Sequence, residues 1–267
     1  MTSSSMLDRL WRVVAFLGVT CSPSQWPRLM LLGWARDNPL SAVGRWFPTI
    51  QVRPAVLRGR AVTVSATDLG QLISFEEVFV ESVYDLGRVP FTPTAIFDCG
   101  AHVGFFSVLA RSTYPRVPVT VFEPNPVNLG PLRRNLAAFE AQAVIHAAAV
   151  STHEGSRRFS AVESNAGHLE EPGEAGMEVA VLDLSSFVSG DAGAALLIKI
   201  DIEGEERQLI PHVLPVLPRQ CAVFVETHDG ATSRDALVEQ MVSYGFEVSE
   251  LRVREPYADL LALRVGA

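Results

Sequence analysis

From about residue 95 onward, short apolar runs rich in β-branched residues alternate with stretches of helical character. AIFDCG (95–100), VPVTVFEP (117–124), AVIHAA (143–148), ALLIKIDI (195–202) and AVFVETH (222–228) predict strands. GFFSVLARS, NPVNLGPLRRNLAAF and EERQLIPHVL between them predict helices. That alternation is the signature of a parallel sheet with crossover helices, an α/β architecture. FEVSELRV (246–253) and DLLALRV (259–265) follow with only five residues between them. A hairpin fits there and a helix does not, so the last strand is expected to be antiparallel. The segment 151–182 breaks the rhythm with turn residues and short runs (RRFSAV, MEVAVL), and reads as an insertion lying over the sheet. Residues 1–60 read as helical and irregular, and 61–94 as a connecting region. The expected division is a helical N-terminal extension or cap over 1–90 and the main domain over 91–267.

Composition narrows this picture. The chain has 267 residues, 48% apolar and 19% charged, enough for a sizeable buried core. Its net charge of −8 argues against a general nucleic-acid binder, which needs a basic face. The charge is uneven: residues 1–60 hold eight Arg and two acids, and all four tryptophans (Trp11, Trp26, Trp34, Trp46) lie in that stretch. VVAFLGVT (13–20) and LMLLGWA (29–35) are too short to span a bilayer, and no signal-peptide cleavage pattern follows the first. Both read as amphipathic helices packed on the protein, with contact to a membrane surface the less favoured alternative. Cys21, Cys99 and Cys221 are too few and too scattered for a disulfide framework or zinc site, so a cytoplasmic location is expected.

The chemistry concentrates at strand ends. In IFDCGAHVGFF a strand runs into Asp98, Gly100 and Gly104 and then a helix. Gly100 permits a sharp turn, and Gly104 permits close approach of the helix start to a ligand. A dinucleotide site aims helix amides at a pyrophosphate. Asp98 beside that turn would repel phosphates and attract an ammonium group, such as that of S-adenosylmethionine. Glu123, 23 residues after Gly100, stands where the second strand of a nucleotide fold offers a carboxylate to ribose hydroxyls. Asn125 and Asn128 follow as capping residues or polar neighbours of the cofactor.

Lys199, the single lysine against 21 arginines, lies two residues before Asp201 in LLIKIDIEGEE. Glu226 and His228 end the neighbouring strand. Lys199 is expected to reach Asp201 or Glu226 and hold the carboxylates, a compact ammonium fitting where a planar guanidinium does not. Asp201, Glu226 and His228 together offer ligands for Mg²⁺ or another divalent ion, which would orient a hydroxyl acceptor. His228 taking the acceptor's proton directly is the alternative.

DCGAHVGFFSV, FEPNP with Asn128, AAVS at 148–151, and KIDIEGEE followed by VETH together resemble the FkbM-type family of S-adenosylmethionine-dependent methyltransferases. The resemblance covers about residues 70–250. It implies a class I methyltransferase (Rossmann-like) fold, a mostly parallel seven-stranded sheet with an antiparallel last strand. It also implies O-methylation of hydroxyls on natural products, sugars or glycolipids. Carried over residue by residue, it implies that Asp98, Gly100, Ala101, His102, Gly104 and Phe105 line the methionine side. Glu123, with Pro124 and Asn128 beside it, would meet the ribose, Ala148 and Ala149 would flank adenine, and Asp201 would sit near the methyl group. FEEVFVESVYDLG (75–87) resembles the segment leading into the core, so Phe75, Glu76 and Tyr84 would close over the cofactor. The family usually has G-A-N at the first turn, where this chain has Gly100-Ala101-His102. That departure leaves the base open between His102, Lys199 and His228. Two further readings stay open: a non-catalytic binding protein of the same fold and, third, an NAD-dependent oxidoreductase. The partner expected is a small hydroxylated molecule. Residues 1–60 are expected to cap the acceptor pocket or mediate a homodimer.

Overall fold

The computed structural model of the chain describes Val64, Ala66 and residues 69–161, 167–170, 174–190 and 193–266. The basic, tryptophan-rich stretch 1–60 and the roles expected of it lie outside the described residues. Strands β1 (Ala95–Cys99), β2 (Val119–Phe122) and β3 (Ala143–His146) are followed by β4 (Ala148–Ser151), β5 (Gly155–Ser160), β6 (His168–Leu169) and β7 (Met177–Asp183). Then come β8 (Ala195–Ile200), β9 (Gln220–Thr227), β10 (Glu247–Arg254) and β11 (Tyr257–Arg264). The helices are α1 (Leu69–Phe75), α2 (Phe105–Thr113), α3 (Pro126–Leu136), α4 (Ser185–Val188), α5 (Glu206–Val213) and α6 (Gly230–Ser243).

Seven strands form one sheet in the order β10-β11-β9-β8-β1-β2-β3. β1, β2, β3, β8 and β9 run parallel, and β11 runs antiparallel to both β9 and β10. The hairpin over the last two strands thus forms as the five-residue spacing requires. The sheet separates two apolar layers. One joins Ile96, Val121, Leu197 and Phe224 to α2 and to Phe75, Phe79 and Tyr84. The other joins Phe97, Ile198, Ile200 and Val223 to α4, α5 and α6. Every residue of β8 is buried for this reason, and each fully buried aliphatic side chain contributes about 1.5–3 kcal/mol.

Three features depart from the sequence reading. Residues 69–90 are no separate extension, because Phe75, Phe79, Tyr84, Leu86 and Val89 share a core with β1 and α2. AVIHAA is two strands: β3 ends at His146 in the main sheet, and β4 opens a second, four-stranded sheet of order β4-β7-β5-β6. The predicted insertion is therefore a sheet of its own. Val150 ties it to the main body through the second apolar layer, and Glu205 does so by accepting from Arg157 Nη1 at 2.9 Å and from Ser151 Oγ at 3.1 Å. Helix α6 is not among the expected helices: its buried residues are Leu237 and Met241, too thin a stripe to give a clear period. No helix among the described residues is long and apolar enough to cross a membrane.

Candidate active site

Strand order reverses at β1, which pairs with β2 on one side and β8 on the other, so the crevice at their carboxyl ends is the switch point. Gly100 leaves β1 with φ 75°, and a Cβ built there would lie 1.8 Å from the Asp201 carbonyl oxygen. Glycine is required because β8 passes so close. Gly104 also has positive φ, but its missing Cβ makes room for Leu132 of α3 at 2.6 Å. Its role is helix packing and not approach to a ligand. His102 lies between them with φ 52°. Asparagine, aspartate and histidine are the residues other than glycine that adopt that left-handed backbone most readily. Its Nδ1 lies 3.1 Å from Ser74 Oγ.

Glu123 follows β2 and is 4% exposed. Oε2 accepts from the His102 amide at 2.7 Å, and Oε1 from the Asn125 amide at 2.9 Å and Asn128 Nδ2 at 3.2 Å. Burial pushes its pKa up to about 7 against the pull of these donors. Asn125 also caps α3 by accepting from the Val127 amide.

Lys199 stands beneath the turn, 4% exposed. Its ammonium donates to the Gly100 carbonyl and lies 3.1 Å from Asp201 Oδ2 and 3.7 Å from Asp98 Oδ1. Burial works against the charge, but the two carboxylates outweigh it and hold the pKa above the ordinary lysine value. Asp98 is fully buried, and its Oδ2 accepts from Ser107 Oγ at 2.6 Å. The carboxylate expected to greet the cofactor's ammonium is therefore a partner of Lys199 below the crevice. Asp201, with burial opposed by Lys199 and His228, is held below the ordinary carboxylate value.

β8 ends at Ile200, and Glu203 turns through φ 57° toward β9. His228 meets it there: Nε2 lies 3.3 Å from Glu203 and 3.8 Å from Asp201, and Nδ1 lies 3.2 Å from Glu206 Oε1. The Nδ1 contact is close but off hydrogen-bond alignment. Glu206 itself accepts from the Ile202 and Gly204 amides, both at 2.9 Å. Burial opposes the imidazolium, yet Glu206, Asp201 and Glu203 raise its pKa to about 10. Glu226 stands apart from this cluster, and the ligand atoms that converge within 4.8 Å belong to Asp201, Glu203 and His228. Burial, Asp201 and Asp259 push Glu226 up to about 9. The expected donor set Asp201, Glu226, His228 does not form.

His228 gives a pH prediction. Its folded pKa exceeds the unfolded value of 6.5, so its stabilisation is complete below about pH 6.5 and fades as pH rises to about 10. Thermal melts of wild type and His228→Gln should differ most at pH 6 and converge by pH 10. A gap of constant size at both ends would contradict a charged imidazole.

The crevice opens into a cleft of about 670 Å³, its open mouth included. Gly100, His102, Glu123, Pro124, Asn128, Ala148, Ala149 and Asp201 line it, as do Phe159 and Leu169 of the second sheet. Four carboxylates (Glu123, Asp201, Glu203, Glu205) and no lysine or arginine form its charged lining among the described residues. A smaller cavity of about 420 Å³ adjoins it through Ser74, His102 and Asp201. Tyr84, Ala101, Phe105 and Lys199 line that cavity with Glu77 and Arg252. Glu76, expected to close over the cofactor, is buried, and its neighbour Glu77 faces the space instead. Asp98 and Gly104 line neither. Sequence reasoning missed Ser74, Glu77, Arg252 and Glu205. Only the run KIDIEGEE carried a signal for any of them.

The family model described as the methyltransferase FkbM domain matches residues 98–248. The 31-O-demethyl-FK506 methyltransferase FkbM of Streptomyces tacrolimicus is 27% identical over 224 residues, covering 70% of this chain and 86% of that protein. Among solved structures, methyltransferase FkbM of Methylobacillus flagellatus is 17% identical, covering 67% of this chain and 46% of that one, with a TM-score of 0.45. The precorrin-6y C5,15-methyltransferase of Geobacter metallireducens is 16% identical over 70% of this chain and 88% of that one, also with a TM-score of 0.45. With more than half its length matched by the family model, on the sheet order and crevice described above, the chain belongs to the FkbM methyltransferase family.

Proposed function

We propose that this protein transfers a methyl group from S-adenosylmethionine to a hydroxyl oxygen of a natural product, sugar or glycolipid. The observation that carries the reading is the charge of the crevice: carboxylates line it and, among the described residues, no lysine or arginine does. Such a lining attracts a sulfonium and an ammonium and repels a diphosphate, which disfavours a nicotinamide dinucleotide. Glu123 would accept the ribose hydroxyls, Ala148 and Ala149 would flank adenine, and the amino-acid end would enter the smaller cavity beside Glu77 and Asp201. When bound, S-adenosylmethionine supplies an electrophilic methyl group: the acceptor oxygen bonds to it, the carbon–sulfur bond breaks, S-adenosylhomocysteine leaves and the hydroxyl proton is lost. Lys199 and His228 hold protons of their own and are unsuited to take that one, which leaves His102 and Asp201, both lining the two cavities, as the groups to accept it. Rate enhancement would come chiefly from alignment and exclusion of water. The O-methylation named for the Streptomyces relative supports the choice of oxygen.

No step is routed through a metal ion. Asp201, Glu203 and His228 converge and would be the residues to hold a divalent ion, His228 losing its proton on binding. A mass-shift screen of hydroxylated metabolites with labelled cofactor, run with and without EDTA, tests for that ion.

Calorimetry with S-adenosylhomocysteine and NADH tests the cofactor directly. Glu123→Gln should weaken S-adenosylhomocysteine binding about 10–100-fold, the worth of hydrogen bonds to a charged acceptor. Asp201→Asn should reduce turnover more than binding. Equal binding losses in both variants, or NADH bound in place of the nucleoside, would refute these roles.

A further inference from the structure

The two adjoining cavities differ in charge. Carboxylates line the larger, whereas the smaller sets Lys199 and Arg252 against Glu77 and Asp201 among the described residues. Lys199 is already committed to the Gly100 carbonyl, Asp201 and Asp98. Arg252, on β10, is committed only in part. Its Nε donates to Asp259, and its Nη1 to Glu77 at 3.1 Å and Glu81 at 2.9 Å, while Nη2 donates to no described residue. A planar guanidinium fixed at two corners presents the third in a set direction, so a ligand that binds there orders little. Tyr84 supplies a second unused donor. It is 8% exposed, its ring packs edge-on against Phe106 and Phe224, and its hydroxyl bonds no described residue. Burial and the acids Asp201, Glu226, Asp259 and Glu77 push its pKa up, so the hydroxyl keeps its proton and donates. Glu77, Tyr84 and Arg252 all lie outside the residues 98–248 matched by the family model.

Two donors without acceptors call for an anionic group, and the surrounding charges restrict which. Arg254 shares Glu77 and Glu81 with Arg252, so these two guanidiniums face three carboxylates once Asp259 is included. Glu226 lines neither cavity. A lone anion would therefore enter a patch that already has a carboxylate to spare. A zwitterion does not meet that opposition, because its ammonium turns to the acids while its carboxylate accepts from the free donors. We propose that Arg252, with Tyr84, binds the carboxylate of the cofactor's amino-acid end, while Glu77 and Asp201 take its ammonium. Charge-assisted bonds from guanidinium to carboxylate are among the stronger ones available, so Arg252 selects for the intact amino acid. This deepens the methyl-transfer reading and rests on it. It also gives the final hairpin a direct part in cofactor binding.

Calorimetry on the full-length protein with three ligands tests this. S-adenosylhomocysteine carries both groups, its decarboxylated analogue keeps only the ammonium, and 5′-methylthioadenosine lacks both. Wild type should bind S-adenosylhomocysteine at least about tenfold more tightly than the decarboxylated analogue, the worth of hydrogen bonds to a charged group. Arg252→Gln should weaken S-adenosylhomocysteine by about the same factor and leave the other two ligands within about twofold of wild type. Tyr84→Phe, which removes one O–H and keeps the ring, should weaken S-adenosylhomocysteine alone. An Arg252 that merely held Glu77 and Asp259 in place would lower all three affinities together when replaced, and that result would overturn the proposal. Equal wild-type affinity for S-adenosylhomocysteine and its decarboxylated analogue would do the same, and needs no variant to fold. A wild-type protein that binds none of the three would strike the methyl-transfer reading itself, so the two failures are told apart.

Discussion

Replacing Lys199 with methionine is expected to destabilise the protein by about 3–5 kcal/mol, the usual result of removing one partner from a buried ion pair. For a chain of this size that lowers the melting temperature by roughly ten degrees. The cause is Asp98. It is fully buried, Ser107 satisfies one of its oxygens, and the other faces only the ammonium at 3.7 Å. Burial already pushes the Asp98 pKa up, and Lys199 is the first influence holding it down. Without the lysine, Asp98 must take a proton or carry an unpaired charge in an apolar layer. The turn suffers too, because the same ammonium binds the Gly100 carbonyl and Asp201 Oδ2. Three oxygens converge on a single point, which suits an ammonium and not a flat guanidinium, so Lys199→Arg should also destabilise. The control is Asp98→Asn in the Lys199→Met background, which should recover part of the loss because no unpaired carboxylate remains. A Lys199→Met protein melting within two or three degrees of wild type, or no recovery in the double variant, would show that the pair is not what holds this region.

Gly100→Ala is expected to abolish nucleoside binding and to cost about 2–5 kcal/mol of stability. Part of the cost is the left-handed backbone, about 1–2 kcal/mol for a residue with a Cβ. The larger part is overlap: a methyl group 1.8 Å from the Asp201 carbonyl oxygen forces β1 and β8 apart, and overpacking of this kind costs about 1–3 kcal/mol. Separating those strand ends moves Asp201 and the Glu123–His102 contact together, so binding of S-adenosylhomocysteine should fall at least about a hundredfold. Gly204→Ala isolates the first term, because Gly204 has φ 109° and nothing lies within 4 Å of a Cβ built there. Denaturant melts and calorimetry on both variants should rank Gly100→Ala well below Gly204→Ala. Equal losses would mean that close strand approach plays no part.

These two residues show how unevenly the site could be read before the structure. Gly100 stood out because a glycine that closes a buried strand just ahead of a helix marks a sharp backbone turn. Lys199 stood out as a lone lysine inside an apolar run beside an acid. Glu123 followed from its distance to the first turn. In each case the signal was local, carried by a short stretch whose strand or turn geometry follows from its own residues. Asp98 was equally visible, but its neighbours could not say whether it faced the crevice or the layer beneath.

Residues brought in by distant parts of the chain left no such trace. Arg252 bonds Asp259, and it also bonds Glu77 at 3.1 Å across 175 residues of sequence. Together with Arg254 it braces the segment after α1 against the final hairpin. Glu205 joins the second sheet to the rim through Arg157. Glu226 and His228 looked equivalent as alternate residues of one strand, yet β9 stops at Thr227. His228 turns to Glu203 and Glu206, while Glu226 stays with Asp259 on the next strand.

The sequence by itself determined the alternating architecture, the antiparallel final strand and the positions of the strand-end acids, because apolar periodicity and loop length act over a dozen residues. Only the tertiary structure decided that residues 69–90 belong to the core, that Lys199 neutralises Asp98 below the crevice, and which acids gather around His228. Those outcomes depend on burial and on charges meeting across the fold, and the free energy of a buried charge is set by whichever groups packing brings within a few ångströms of it.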